Sequence, residues 1–303
     1  MKPPALDPLD PAAGPALRPW AEEAARIGGR VAREWFGARL RVRLKADRSE
    51  VTDADEAAQA AIVDYLRRER PQDALVTEET LLPAPGSPSS PAPSTDRLCW
   101  VIDPIDGTRN FIRGVPLFAC SVAAMIGGEP VAGAIYDPVR NELISAGRGG
   151  PLLLNNQPRT PLPAGETGSR PAETPAPWGT GSQPVAPGPA GRAPRPVVGL
   201  PSMPVGHIAE RAHQWLDRYV CRCFGSTALH LAYVALGRLE AMLADNARLW
   251  DIAAGVVLVR AAGGDAAAPN GQPLFPADVA AYRGEETPIV AAGPRLRDRL
   301  ASL

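Results

Sequence analysis

The chain has 303 residues, which is enough for one large domain or two ordinary ones. Its 32 basic and 33 acidic residues nearly cancel, and this balance argues against a nucleic-acid polymer or a membrane surface as a partner. There is no apolar run of about 18 residues, and the opening MKPPALDPLDPAAGP lacks the apolar core of a signal peptide. We therefore expect a cytoplasmic protein without a membrane anchor.

The first part of the chain begins with a predicted flexible tail over residues 1–18. Apolar residues at helical spacing predict an amphipathic helix over residues 20–36. The alternating segment RLRVRLKADR then predicts a strand, and a second helix follows that ends near Arg68. The sequence TDAD that opens this helix fits a capping box, which is a sufficient structural role for Asp55.

The middle of the chain is rich in predicted strands. One strand, over residues 75–77, ends at Glu78 and Glu79. The proline- and serine-rich segment 83–95 is predicted to be a loop insertion. Four β-segments follow it, over residues 98–103, 118–126, 131–136 and 142–146. Because no long helix separates them, we expect antiparallel pairing.

A second insertion separates this part from the rest of the chain. Residues 161–196 contain ten prolines and are predicted to be a mobile surface segment without core packing. Beyond it, strands are predicted over residues 197–200, 239–243 and 288–292, and helices over 208–217, 226–237, 250–262 and 294–300. The pattern is α+β in the first part and mixed α/β in the second. We expect one domain over residues 19–302 with two halves, about 19–150 and 197–302.

Acidic residues lie where several of these strands and helices end or begin. They are Glu78, Glu79, Asp103, Asp106 and Asp251. Clustered carboxylates in a crevice that excludes water repel one another unless a cation neutralises them. Mg²⁺ prefers such hard oxygen ligands. The aspartates also have a purely structural interpretation without metal binding, since Asp-Pro and Asp-Gly are common turn dipeptides and an aspartate often caps a helix.

Four stretches occur in the order of the signature motifs of one known family. They are LKADRSEVTDAD, VTEET, WVIDPIDGTRNFIRGVPLFACSVA and LWDIAAG. From about residue 19 to 302 the chain resembles the inositol monophosphatase family of Mg²⁺-dependent phosphatases, and GSTALHLAYVALGRLEAML resembles the family's segment before the last metal ligand. The resemblance implies a layered α/β/α/β/α sandwich of the sugar-phosphatase type, inhibition by lithium and, commonly, a homodimer.

The resemblance also implies a set of metal ligands. The first Mg²⁺ would be held by Glu78, Asp103 and the backbone carbonyl of Ile105, and the second by Asp103, Asp106 and Asp251. A third, weaker ion is often bound through Glu78 and water. The implied activity is that of a phosphomonoesterase in which a metal-activated water attacks the phosphorus of a small phosphorylated alcohol.

Further residues receive catalytic roles by similarity. Thr108 would orient the attacking water while paired with Asp55, because a hydroxyl both donates and accepts. Lys45 corresponds to a mobile lysine near the metals, although by default a lysine is a solvated charge. Gly107 and Thr108 are predicted to open a short helix through Phe111, with amides that meet phosphate oxygens.

Substrate contacts are implied for Gly225, Ser226 and Thr227, which match the family segment that touches the alcohol. Many family members place a substrate-binding glutamate seven residues before the last metal ligand, where this chain has Ala244. This departure argues against inositol itself, and Asp245 is the candidate that could replace the glutamate from a shifted position. His230 is predicted to be structural or solvated rather than catalytic.

The substrate stays open at this point. Inositol monophosphate, histidinol phosphate, a sugar phosphate and a nucleoside 3′,5′-bisphosphate all fit the motifs. The alternative class is a non-catalytic family member that acts as a binding or regulatory partner. That alternative predicts loss of a metal ligand or of the Thr108–Asp55 pair, and the sequence retains them all.

Overall fold

The computed structural model describes residues 10, 12–45, 49–79, 92–94, 97–159, 195–204 and 206–302. Most of the two predicted insertions, 83–95 and 161–196, lies outside the described residues. The helices are α1 (Ala13–Trp35), α2 (Asp53–Glu69), α3 (Thr108–Ile112), α4 (Gly206–Arg218), α5 (Thr227–Ala235) and α6 (Leu249–Ala261), followed by a 3₁₀ helix at Arg297–Ser302. None of the helices in the described part of the chain is long and apolar enough to cross a membrane.

The strands of the described residues form a hairpin and two sheets. The hairpin pairs β1 (Val42–Leu44) with β2 (Glu50–Thr52). The large sheet contains, in spatial order, β3 (Ala74–Thr77), β4 (Cys99–Asp106), β5 (Ala119–Ile126), β6 (Glu129–Asp137), β7 (Glu142–Gly147), β8 (Leu153–Leu154) and β9 (Gln157–Pro158). The small sheet contains β10 (Val197–Gly199), β11 (Val220–Arg222), β12 (Ala241–Ala244), β13 (Asp265–Ala267) and β14 (Ile289–Ala292), in the order β11-β10-β12-β14-β13. The strands β4 to β7 are antiparallel, as predicted.

Both faces of the central strands of each sheet are buried, which explains why these strands are apolar at consecutive positions. In β5, Val122 packs with α1 and α2 on one face, and Ala123 packs with α5 and α6 on the other. In β14, Ala291 faces α5 and α6, whereas Val290 packs against Trp215 of α4. The layers are therefore α1–α2, large sheet, α5–α6, small sheet and α4, which confirms the predicted α/β/α/β/α sandwich.

The first helix begins earlier than predicted. It starts at Ala13, so the prediction of a tail through residue 18 is wrong for residues 13–18. Pro19 lies inside this helix, and a proline there removes a backbone hydrogen bond, which is why the sequence suggested a later start. Leu17 is buried in the core with the large sheet, and this burial offsets the cost of the proline.

The remaining differences concern short elements. The predicted closing helix over residues 294–300 is a 3₁₀ helix at Arg297–Ser302. The strands β2, β8, β9, β11 and β13 were not predicted, because two or three residues are too few to show an alternating pattern.

Candidate metal centre and active site

A bulge in β4 turns two carboxylates toward the same side of the strand. In a regular strand, residues three apart point to opposite faces. Here Asp103 lies opposite Ser121 and Asp106 lies opposite Ala119, so three residue steps on β4 face two steps on β5. Pro104, which has no N–H to donate to the ladder, lies in the bulge. The extra residue brings Asp103 and Asp106 into one cavity.

This cavity has a volume of about 240 Å³ and lies where the two halves of the domain meet. We call its acidic part the floor, formed by the carboxylates of Glu78, Asp103, Asp106 and Asp251. Carboxylate oxygens of the last three residues lie within 4.8 Å of one another. The floor therefore gathers the side chains that the sequence predicted as metal ligands, and the predicted carbonyl donor Ile105 lines the same cavity.

Burial and nearby negative charge raise the pKa values of Asp103, Asp106 and Asp251. Burial and the charge of Glu78 raise the pKa of Asp103 well above its usual value. Asp251 keeps some contact with solvent, but the protein atoms around its carboxyl group and the charge of Asp106 raise its pKa in the same way. Burial also raises the pKa of Asp106 to about 6. A divalent cation with hard oxygen ligands would remove this repulsion, so the donor set fits such an ion.

Asp106 lies at the N-terminus of α5 and accepts hydrogen bonds from it. Its Oδ2 accepts from Ser226 Oγ and from the N–H of Ala228 (2.8 Å), and its Oδ1 accepts from the N–H of Thr227 (3.3 Å). Unpaired N–H groups and the helix dipole stabilise a carboxylate there. Ser226 and Thr227, predicted to touch the substrate, thus hold a floor carboxylate in this structure.

Two glycines and one asparagine shape the loops beside the floor. Gly107 precedes α3 with φ of 99°, and a Cβ there would lie 2.9 Å from the carbonyl oxygen of Leu117. Gly225 has φ of 69°, and its Cβ would lie 2.9 Å from Nδ2 of Asn110. The Asn110 amide donates to the carbonyls of Leu117 (2.8 Å) and Phe224 (2.6 Å). Gly225 therefore permits close packing against α3, whereas the sequence predicted a substrate contact.

The predicted pair of Thr108 and Asp55 is present. Thr108 Oγ lies 3.2 Å from Asp55 Oδ1 and 3.0 Å from the carbonyl oxygen of Ile105. Asp55 Oδ2 accepts from the N–H (2.8 Å) and the hydroxyl (2.5 Å) of Thr52, so the capping box also exists. Burial raises the pKa of Asp55 to about 6, which leaves it largely ionised at neutral pH. The Asp55 carboxylate thus serves both predicted roles. Its Oδ2 completes the capping box with Thr52, and its Oδ1 pairs with Thr108.

Lys45 is a half-buried ion-pair partner rather than a solvated charge. Its Nζ lies 2.7 Å from Glu78 Oε1 and 2.9 Å from Glu79 Oε1. Burial alone would lower the pKa of Lys45, but the two glutamates outweigh it and raise the pKa above its usual value. Burial raises the pKa of Glu79 to about 8. Lys45 therefore lies next to the floor, as the family resemblance implied.

A further part of the cavity lining, which we call the rim, was missed from the sequence. It consists of Arg109, Asn246, Arg248 and Glu286. Asp245, predicted to contact the substrate, is only 5% exposed and accepts the N–H of Asn246 (3.0 Å), and Asn246 lines the cavity instead. The polar stretch between the buried strand β12 and the LWDIAAG motif was a signal from which Asn246 and Arg248 could have been identified as cavity residues. No comparable local pattern marks Glu286.

His230 lies in α5 and stabilises the loop before that helix. Its Nε2 accepts the N–H of Phe224 at 3.2 Å, and the two rings are 5.1 Å apart. Burial lowers the pKa of His230 to about 4, so the ring is neutral and can accept. This arrangement agrees with the predicted structural role.

The layered fold is a sandwich of the sugar-phosphatase type, and the acidic cavity between its halves holds a carboxylate cluster whose geometry fits a metal ion. The profile described as "Inositol monophosphatase family" matches residues 16–302. The chain belongs to the inositol monophosphatase family, as the motifs predicted.

Named relatives and solved structures agree with this assignment. The chain is 34% identical over 227 residues to Nus factor SuhB of Escherichia coli (strain K12), covering 71% of this chain and 70% of the relative. It is 33% identical over 225 residues to inositol-1-monophosphatase of Rhizobium meliloti, covering 74% of each. The extragenic suppressor protein suhB from Bartonella henselae superposes with a TM-score of 0.73 and 27% identity, covering 95% of this chain and 97% of that one. An inositol monophosphatase from Anabaena gives a TM-score of 0.69 and 25% identity, with 95% and 94% covered.

Proposed function

We propose that the chain is a Mg²⁺-dependent phosphomonoesterase that hydrolyses a small phosphorylated alcohol. The observation that carries the proposal is the floor, where oxygens of Asp103, Asp106 and Asp251 lie within 4.8 Å of one another beside the Thr108–Asp55 pair. The 33% identity to a protein named inositol-1-monophosphatase supports the reaction class.

The floor residues are suited to hold the metal. Asp103, Asp106 and Asp251 would bind one ion, and Glu78 with the carbonyl of Ile105 would complete an adjacent site beside Asp103. When bound, Mg²⁺ would hold the phosphoryl oxygens and make a nearby water more acidic. The number of ions, two or three, stays a prediction.

The residues of the chain itself would orient the nucleophile. The Thr108 hydroxyl hydrogen is directed at Asp55 Oδ1 and the carbonyl of Ile105, which both only accept, so its lone pairs are left to accept a hydrogen bond from a water. Asp55 keeps this direction fixed, because an ionised carboxylate can only accept. The amides of Gly107 and Thr108 are proposed to meet phosphate oxygens.

The test is release of inorganic phosphate from a panel of esters. The panel contains inositol 1-phosphate, histidinol phosphate, a sugar phosphate and a nucleoside 3′,5′-bisphosphate. We expect turnover with Mg²⁺, loss of turnover in EDTA, and recovery when Mg²⁺ is added back. A folded protein that releases no phosphate from any of these esters would contradict the proposal. Inhibition by lithium and a homodimer stay predictions from the resemblance, and a cytoplasmic location stays a prediction from the sequence. Adding lithium to the same assay tests the first.

A second function, as a binding partner without catalysis, is favoured by one observation. Several relatives at 34% identity are named Nus factor SuhB, which is not an enzyme name. The enzyme proposal stands first because all floor carboxylates and the Thr108–Asp55 pair are present. The lack of a nucleic-acid partner, expected from the balanced charge, also stays a prediction.

A further inference from the structure

We propose that Ser121 is a positioning residue for the metal site, because its hydroxyl group fixes the separation of two floor carboxylates that belong to different halves of the domain. Asp103 lies on β4 in the first half, and Asp251 lies in the first turn of α6 in the second half. The packing of the two halves therefore determines how far apart these carboxylates lie. The inference rests on the proposed function and deepens it, since it gives a role at the metal site to a residue that does not line the cavity.

Ser121 is joined to the backbone on both sides of this separation. In the ladder of β4 and β5 it lies directly opposite Asp103, where the Cα atoms of facing residues are about 4.5–5.5 Å apart. Its Oγ donates to the carbonyl oxygen of Trp250 at 3.1 Å, and Trp250 immediately precedes Asp251. One side chain thus connects the strand that pairs with Asp103 to the helical turn that carries Asp251.

The surroundings of Ser121 indicate that this hydrogen bond is the reason for a serine at the position. The other residues on the same face of β5, which are Ala119, Ala123 and Met125, are apolar and pack with α5 and α6. Ser121 is fully buried, and Trp250 is 2% exposed. A buried hydroxyl is costly unless it is hydrogen-bonded, and a bond shielded from water is stronger than an exposed one. The bond to Trp250 therefore accounts for a polar residue in this apolar layer.

The next turn of α6 is held against the sheet by close packing instead. A Cβ on Gly133 of β6 would lie 2.6 Å from the carbonyl oxygen of Ala254, which is one helical turn beyond Trp250. Gly133 pairs with Ala123, two residues from Ser121 on β5. Loss of the Ser121 hydroxyl would therefore release the turn next to the floor, while the turn at Ala254 would stay packed.

A small displacement of Asp251 would weaken metal binding. Carboxylate oxygens of Asp103, Asp106 and Asp251 lie within 4.8 Å of one another. Mg²⁺ requires oxygen ligands at about 2.0–2.1 Å in a nearly octahedral arrangement, so it tolerates little change in their spacing. Removal of a group that orients a metal ligand typically lowers metal affinity about 10- to 100-fold. Ser121 would thus affect the reaction through the metal and not through contact with the substrate.

The experiment measures binding of Mn²⁺ to the full chain by electron paramagnetic resonance. Mn²⁺ takes the same oxygen ligands as Mg²⁺, and the signal of the free ion gives a dissociation constant without any turnover. We expect Ser121→Ala to raise this constant about tenfold or more. In the phosphate-release assay the Mg²⁺ concentration for half-maximal activity should rise likewise, whereas kcat at saturating Mg²⁺ and KM for the ester should change less than about threefold. Ser121→Cys should lie between the two proteins, because a thiol is a weaker donor.

Ser145→Ala is the matched control. Ser145 is also fully buried in the large sheet, and its Oγ donates to Glu22 Oε1 at 2.6 Å, but neither residue lines the cavity. This variant should lower the urea midpoint of unfolding at least as much as Ser121→Ala, because its hydrogen bond goes to a charged partner. Its Mn²⁺ dissociation constant should stay within about twofold of the wild type, since the change lies far from the floor.

The outcomes separate this inference from the proposed function. If the wild type binds Mn²⁺ and Ser121→Ala binds it equally well, or if both serine variants lose affinity to the same extent, Ser121 has no positioning role and the phosphatase proposal stands. If the wild type binds no Mn²⁺, the metal-dependent reaction and this inference fail together. Should Ser121→Ala not fold, the same titration of Ser121→Cys decides, and an affinity equal to that of the wild type would overturn the inference.

Discussion

The floor and the rim of the cavity are built in different ways. Floor carboxylates accept hydrogen bonds from the backbone: Asp103 from the N–H of Ile105 (2.9 Å) and Asp251 from that of Arg248 (2.9 Å). On the rim, Asn246 is exposed at the mouth of the cavity. A floor side chain thus shapes the backbone and supplies a ligand oxygen, whereas a rim side chain can change without disturbing the sandwich.

This difference separates the reaction from the choice of substrate. Substituting a floor residue removes a candidate metal ligand, so we expect large losses for every substrate. Substituting a rim residue should change the ranking of substrates with little effect on chemistry. The predictions below test this division, from the largest expected loss of activity to the smallest.

Asp103→Asn should abolish activity. The carboxamide keeps the shape and still accepts the N–H of Ile105 at 2.9 Å, but it removes the charge that the floor offers to metal. We expect kcat/KM to fall at least about a thousandfold at high Mg²⁺, measured by phosphate release. Asp245→Asn is the control, because Asp245 is buried nearby but does not line the cavity. Turnover of Asp103→Asn within tenfold of the control would refute the metal assignment.

The floor could be predicted from sequence better than the rim for a physical reason. Asp103 and Asp106 are close in the chain, and the turn residues between and after them are local signals. Their meeting with Asp251 depends on tertiary structure, and only the resemblance to a family supplied it. The bulge that turns both carboxylates inward was not predicted, because pairing with β5 determines it.

The rim depends on a contact between distant irregular segments. The N–H of Thr287 donates to the carbonyl of Ala247 (2.5 Å), and this contact places Glu286 at the cavity. Irregular segments have no periodicity from which such packing can be inferred. The same limit applied to the fold, where the long strands of the large sheet were predicted and the short edge strands were missed.

Thr108→Val should lower the rate with little effect on substrate binding. The variant keeps the shape but loses the hydroxyl that lies 3.2 Å from Asp55 Oδ1. We expect kcat to fall about a hundredfold with KM nearly unchanged, because orientation of the water matters chiefly in the transition state. Thr108→Ser, which retains the hydroxyl, should keep most of the activity. A rise in KM without loss of kcat would instead indicate a substrate contact.

Tyr282→Phe should weaken the response to Mg²⁺. The Tyr282 hydroxyl accepts the N–H of Leu249 (2.9 Å) and donates to the carbonyl of Glu285 (3.0 Å), which holds the start of α6 near Asp251. We expect the Mg²⁺ concentration for half-maximal activity to rise about tenfold, as for other groups that orient a metal ligand. Tyr136→Phe is the control, because its hydroxyl bonds Asn141 away from the cavity. Equal Mg²⁺ dependence in both variants would remove Tyr282 from this role.

His230→Gln should leave activity at neutral pH within about twofold, because His230 lies outside the cavity, but it should change the pH dependence of stability. Burial lowers the pKa of His230 to about 4 in the folded protein, against about 6.5 in the unfolded chain. Between these values the unfolded chain binds a proton that the folded protein does not. The contribution of His230 is therefore complete above about pH 6.5 and is lost as the pH falls toward 4.

Glutamine offers an oxygen to the N–H of Phe224 in place of Nε2 and does not titrate in this range. Relative to the variant, the wild type should lose about 2 kcal/mol of unfolding free energy between about pH 7 and pH 5, measured by urea titration. Comparing the two proteins cancels the contributions of Asp103, Asp106 and Asp251, whose raised pKa values act in the opposite direction. Parallel pH profiles would mean that folding leaves the pKa of His230 unchanged, which would contradict its burial as a neutral acceptor. The effect on stability without an effect on turnover would place His230 outside both the floor and the rim.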